Sequence, residues 1–203
     1  GTRGDLAAVV RAILLDDDAR NPATSANSAA FGRLKEPVIR TMAMARAFGL
    51  KSAADFLWWD WGEFNAAAKQ EPTNSPSVFN FYRPDYKAPG LLTQNSLAGP
   101  VFQITDSYSS ISFPNKLWSV IDEGFSYWHA YSFGLDLSTE IALASTPEKL
   151  IDHLNTLFCA GGMSLNTRNI ILTNLAQIPS DQPEARARVA VYLVMTCAEG
   201  AVM

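Results

Sequence analysis

Asp60 and Glu63 lie in the stretch WWDWGEF, set among Trp58, Trp59 and Trp61. Indole faces beside carboxylates are one means by which proteins hold sugars: rings stack on sugar C–H faces, and carboxylates accept from hydroxyls. Similar residue types gather again further on. FYRPDYK brings Tyr82, Arg83, Asp85 and Tyr86 together, Asp106 follows, and YWHAY carries Trp128, His129 and Tyr131. Residues 52 to 133 hold 18 of the 22 aromatic side chains, with eight Asp or Glu against four Lys or Arg, so a carbohydrate ligand would find its platforms here. The same rings suit the core of a loop-rich region, where large flat side chains fill the gaps that irregular backbone leaves. A glycoside hydrolase needs two carboxylates facing each other roughly 5 to 9.5 Å apart. Asp60, Glu63, Asp85 and Asp106 are the carboxylates positioned among the rings.

Other chemistry is sparse. There is no HExxH, G-x-S-x-G, P-loop or GxGxxG pattern, and no metal or cofactor is expected. Asp16, Asp17 and Asp18 do not make a calcium loop, since Arg20 stands where an oxygen ligand belongs and the central glycine is missing. His153 and Cys159 are six residues apart and fall on different faces of a helix, which argues against a Cys–His nucleophile. His129, among aromatic neighbours, reads as a hydrogen-bonded structural histidine, with a catalytic role as the alternative. Cys159 and Cys197 have no CxxC spacing and read as buried free thiols, a disulfide being the alternative in an exported protein.

The elements that must position these residues are helical. Leu6, Val9, Val10, Ile13 and Leu14 make one apolar stripe on a helix starting near Asp5. Pro37 opens a second helix that Gly49 stops after Phe48. Ser52 and Asp55 have the spacing of a capping box for a third helix through FLWWDWGEFNAAAKQ. Pro72, Pro76, Pro84, Pro89 and Pro100 mark a long ordered loop. Within it Arg83 is placed to stack on a ring while forking to Asp85 or loop carbonyls, strapping the loop onto the helices. Arg83→Ala should then cost roughly 1 to 3 kcal/mol through buried partners left unpaired.

Thr105 or Asp106 caps a further helix, interrupted or kinked at Pro114, and residues 124 to 145 show no clean period. Thr146 and Pro147 then start a helix whose stripe is Leu150, Leu154, Leu157 and Phe158. Ser164 caps the next, with Leu165, Ile171, Leu172, Leu175 and Ile178 inward. Pro183 starts a last helix whose run VAVYLVMT, apolar all round, should be the most buried. The expected fold is all-α, an irregular multi-helix domain with long ordered proline- and aromatic-rich loops. Residues 1–71 are helices, 72–145 an aromatic loop-rich segment and 146–203 a three-helix C-terminal unit, together a single domain or the C-terminal fragment of a larger helical protein.

Composition bounds the function. The 203 residues are 48% hydrophobic and 18% charged, a globular composition with a shortage of surface charge. The net charge of −4 argues against nucleic acid, which requires a clustered cationic footprint. No run of about 18 apolar residues is present, so no membrane span is expected. The opening GTRGDLAAVV lacks a signal-peptide pattern and reads as the start of an internal fragment.

SPSVFNFYRPDYKAPG, followed by LAGPVFQI, resembles the hallmark of the bacterial domain-of-unknown-function family numbered 1800. GDLAAVVRAILLDDDAR, RLKEPVIRTMAMARAF, MSLNTRNIILTNLAQI and RARVAVYLVMTCAEGAV resemble the segments flanking it. The likeness covers nearly the whole chain but only the C-terminal part of the longer family protein. One departure is Cys197-Ala198-Glu199-Gly200, where the family tends to have Ser-Pro-Glu-Tyr. The resemblance implies export to the periplasm or beyond. It also implies an N-terminal helical region as an intramolecular partner; the 18% charge and the amphipathic helix at the start lead to the expectation that this region covers apolar faces of residues 5 to 16 and of the Pro37 helix. A second family, numbered 1501 and similar to sulfatases, is implied as a further partner. No catalytic residues come with it. The expected role is an accessory or binding protein acting with a partner on envelope or extracellular polysaccharide. The alternatives are a carboxylate-dependent glycan hydrolase and a purely structural fragment of a larger protein.

Overall fold

The computed structural model describes residues 2–20, 33–52, 62–127 and 131–202. The chain divides into two compact units, Gly1–Arg33 and Leu34–Met203.

In the first unit, α1 (Leu6–Leu14) starts where the stripe predicts. The Asp5 carboxylate accepts from the Ala8 amide at 2.9 Å, satisfying one of the amides that a helix start leaves without a partner. A short α2 (Asp17–Arg20) follows, and the whole apolar stripe of α1 is exposed.

The second unit is built from α3 (Pro37–Phe48), α4 (Gly62–Ala68), α5 (Leu91–Gln94), a 3-10 turn (Pro100–Gln103), α6 (Ser109–Glu123), α7 (Ser138–Leu143), α8 (Pro147–Cys159), α9 (Leu165–Leu175), α10 (Pro183–Thr196) and α11 (Ala198–Ala201). The expected all-α class holds for this helical bulk. It carries in addition a small antiparallel sheet of β1 (Leu50–Ser52), β2 (Phe125–Tyr127) and β3 (Tyr131–Leu135), in the order β1-β3-β2. Leu50 pairs with Leu135, and Phe125 pairs with Phe133. The segment without a clean period thus becomes a hairpin followed by α7. Ser52, expected to cap a helix, lies in β1 opposite Phe133, and its capping partner Asp55 falls outside the described residues.

α10 is the central helix, packed against α6, α7, α8, α9 and α11. Ala187, Ala190, Val191, Val194 and Met195 recur at helical spacing and are buried. The alanines let the neighbouring backbones approach, and each larger apolar side chain contributes about 1.5 to 3 kcal/mol by leaving water. Leu150, Ile151, Leu154 and Phe158 of α8 meet this face. Ile151 rather than Leu157 completes the α8 stripe, because Leu157 falls on its rim and stays exposed. Leu165 is likewise 78% exposed: it precedes Ile171 by six residues, about 240° around the helix. α6 runs through Pro114 without interruption, with Phe113, Leu117, Val120 and Ile121 buried around it.

Side chains far apart in sequence close the helix ends. Gln70, buried beyond the end of α4, accepts from the Val38 amide at 3.0 Å and donates to Glu36, so it caps α3 across the fold. Arg186 of α10 donates to the Ile178 carbonyl beyond α9 at 2.8 and 3.0 Å. Lys35 donates to the carbonyls of Phe158 at 2.8 Å and Gly200 at 3.1 Å. Beside it, Leu34 bridges Val202, and the Lys35 amide donates to the Ala201 carbonyl at 2.8 Å.

Candidate functional site

The segment that carries Tyr82, Arg83, Asp85 and Tyr86 is a chain of turns held by its own backbone. The Ser77 carbonyl accepts from the Asn80 amide at 3.2 Å, and the Arg83 carbonyl accepts from the Tyr86 amide at 3.2 Å. Two longer bonds pin it to the following turn. The Arg83 amide donates to Gln103 Oε1 at 2.7 Å, and the Gly99 amide donates to the Tyr86 carbonyl at 2.8 Å. A Cβ on Gly99 would lie 2.7 Å from Leu92 Cδ1 and 2.9 Å from Phe102 Cδ2, so a glycine is what lets these turns close.

Arg83 forks onto Asp85, Nε to Oδ1 at 3.2 Å and Nη2 to Oδ2 at 3.0 Å. The fork is a surface one, with the Arg83 side chain 71% exposed. Val78 is 95% exposed and Phe79 63%, while Tyr82 and Tyr86 are half-buried. This overturns the expectation of a buried strap: the prolines and the Gln103 bond fix the loop's path, and burial against helices does not.

Asp106 is tied from two sides. Lys69, at the end of α4, forms an ion pair with it, and its carboxylate accepts from the Ser109 amide at 2.9 Å. Ser109 Oγ in return accepts from the Asp106 amide at 2.9 Å, a reciprocal cap at the entry to α6. The Lys69 bond, then the Ser109 amide, hold the Asp106 carboxyl down at about 2. The Lys69 ammonium also lies over the Tyr108 ring, 5.7 Å from its centroid.

Of the remaining aromatic and carboxylate candidates, Trp58, Trp59, Asp60, Trp61, Trp128 and His129 lie outside the described residues. Glu63 is in α4, and Tyr131 opens β3 opposite Tyr127. The structure thus groups Tyr82, Arg83, Asp85 and Tyr86 in one pinned loop. It gives Asp106 a capping and ion-pairing role.

Two arrangements escaped the sequence reading because their partners are remote in sequence. Glu140 of α7, only 3% exposed, meets His153 of α8, with Oε1 and Nε2 2.8 Å apart. Asp152, the neighbour of His153, pairs instead with Arg168 at 2.8 Å.

The second arrangement joins the two cysteines. Both are free thiols, Cys159 buried as the last residue of α8 and Cys197 partly exposed as the N-cap of α11. The two thiols are close enough to shift each other's ionisation. Cys197 Sγ accepts from the Gly200 amide at 3.3 Å and lies 3.2 Å from the Val194 carbonyl, to which its neutral thiol donates. The neighbouring Cys159 thiol holds the Cys197 thiol down at about 7, against burial, which opposes ionisation; Cys159 is pushed up by Cys197 and by burial. Lys35 and Arg40 supply positive charge nearby. Burial lowers both cations, Arg40 to about 10, and the nearby thiolate character opposes that shift. The Arg40 guanidinium donates to the Met195 carbonyl and stacks on the Phe113 ring at 4.9 Å.

Among the described residues no helix is long and apolar enough to cross a membrane, and no group of three or more His, Cys, Asp or Glu side chains is placed to hold a metal ion. Fold and loop together define a mostly helical domain that presents a turn-rich aromatic segment at its surface. The chain belongs to the family described as protein of unknown function (DUF1800), whose model matches residues 1–200. No curated protein and no solved structure matches it.

Proposed function

We propose that the chain is an exported accessory protein that binds envelope or extracellular polysaccharide through its aromatic loop, without hydrolysing it. The observation that carries this reading is the pairing of the loop's carboxylates. Asp85 is forked by Arg83 and Asp106 is held by Lys69 and Ser109, while Phe79 and Tyr108 stay exposed. A hydrolase requires one carboxyl that holds a proton near neutral pH and a second that attacks or activates water. The Asp106 carboxyl, held at about 2, resists taking up that proton, whereas it remains a good acceptor for sugar hydroxyls. Exposed rings are available for stacking on sugar faces. The family resemblance supports location in the periplasm or outside the cell, a preceding N-terminal helical region, and a sulfatase-like partner that would do the chemistry.

The test is a glycan array run beside a panel of chromogenic glycosides, on the parent chain and on Phe79→Ala, Tyr86→Ala and Tyr108→Ala. Binding without turnover, weakened by the ring substitutions, is the expected result. Turnover abolished by Asp85→Asn would establish the hydrolase instead, and silence in both assays would leave a structural role.

A further inference from the structure

We propose that Cys159 and Cys197 are a redox-active dithiol that closes to a disulfide by exchange with a disulfide oxidant, Cys197 attacking and Cys159 resolving. Residues flanking the two cysteines converge on one ammonium group. Lys35 Nζ donates both to the carbonyl of Phe158, which precedes Cys159, and to that of Gly200, in the helix that Cys197 caps. The ends of α8 and α11 are thereby held in contact, and Cys197 packs against the core cluster that contains Cys159.

The two sulfurs are not equivalent, and their differences assign the roles. Cys197 is the more exposed, accepts from the Gly200 amide and faces Lys35 and Arg40, with Glu199 as the opposing negative charge. A thiolate is stabilised by such donors and cations, and the thiolate is the nucleophile. Cys159 is buried in the core cluster, out of reach of a large oxidant but within reach of its neighbour. The Cys197 thiolate attacks one sulfur of the oxidant, whose S–S bond breaks and whose second sulfur leaves with the electron pair. The Cys159 thiol then gives its proton to a leaving thiolate and its sulfur attacks Cys197 Sγ in the mixed disulfide. The chain loses two electrons and two protons, and the oxidant becomes two thiols.

The experiment takes the fully reduced 203-residue chain, adds oxidised glutathione near neutral pH, and reads intact mass and peptide mapping. The expected product is a chain lighter by two hydrogens, with a Cys159–Cys197 peptide and no retained glutathione. Cys159→Ala should instead keep one glutathione on Cys197, and Cys197→Ala should take up several-fold less. Iodoacetamide labelling of Cys197 should have a midpoint near pH 7 in the parent chain and a higher one in Cys159→Ala, which removes the neighbouring thiol. Parent chain that retains both thiols, stops at a mixed disulfide, or carries glutathione on Cys159 overturns the proposal. The mapping of the parent chain decides this even where a variant fails to fold.

Discussion

His153 Nε2 stands 2.8 Å from Glu140 Oε1, and of the two side chains it is the carboxylate that is buried, 3% exposed against 33%. The histidine therefore serves the acid, supplying the hydrogen-bond partner that a buried Glu side chain needs. His153→Ala should destabilise the chain by about 1 to 3 kcal/mol, because Glu140 loses its partner. His153→Gln, which can still donate, should recover part of this. Urea unfolding of the two variants tests the pair: equal losses would show that the imidazole contributes by packing.

Arg83→Ala should change stability by no more than about 0.5 kcal/mol, since its fork with Asp85 is solvent-exposed. The loop path depends instead on Gln103, whose Oε1 takes the Arg83 amide. Gln103→Ala should accordingly raise proteolytic nicking between residues 76 and 90 more than Arg83→Ala does. Limited proteolysis of both variants measures the difference.

Two carboxyls make the fold acid-sensitive. Burial pushes Glu199 up, but hydrogen bonds from Ser164 and Thr167 outweigh it and bring it from 4.5 to about 2. Asp106, led by Lys69, falls from 3.8 to about 2. Both folded-state values lie below the unfolded ones. The stabilisation is therefore fully present above about pH 4.5 and is lost as pH falls through 2. Thr167→Val and Lys69→Met should each flatten the dependence of the urea midpoint on pH across this window. A slope unchanged in both variants would assign the acid sensitivity to other groups.

Gly200→Ala should be among the costlier single-methyl additions in the chain. The new Cβ would lie 2.0 Å from the Val194 carbonyl oxygen, and backbone must move to admit it. Overpacking of this kind costs about 1 to 3 kcal/mol. The same shift would draw the Gly200 amide from Cys197 Sγ, so slower alkylation of Cys197 should accompany the lower melting temperature.

Local signals in the chain carry most of the helical fold. Asp5, Ser164, the Pro37 and Pro147 starts and the apolar run of α10 each mark an element, because capping and periodicity act within a few residues. The β2–β3 hairpin was not legible: its strands are short, and its third strand, β1, comes from residue 50, so only the tertiary fold makes it. Gln70 capping α3, Glu140 meeting His153 and Lys35 reaching α8 and α11 were hidden for the same reason. Single residues of ordinary type acquire these roles from partners 13 to 165 residues away. The aromatic loop was legible as a loop. Its exposure was not, because proline and rings suit a buried strap and a surface ledge equally well.

The second unit begins and ends on adjacent backbone, with Leu34 antiparallel to Val202 and the Lys35 amide on the Ala201 carbonyl. Tension applied at those two points meets the closure as a zipper. The bridge and the Lys35 bonds should part before the helical core is loaded. Mechanical resistance should therefore depend on residues other than those that set thermodynamic stability. A pulling experiment should record an early low-force step from the closure, separate from the cooperative loss of the packing around α10.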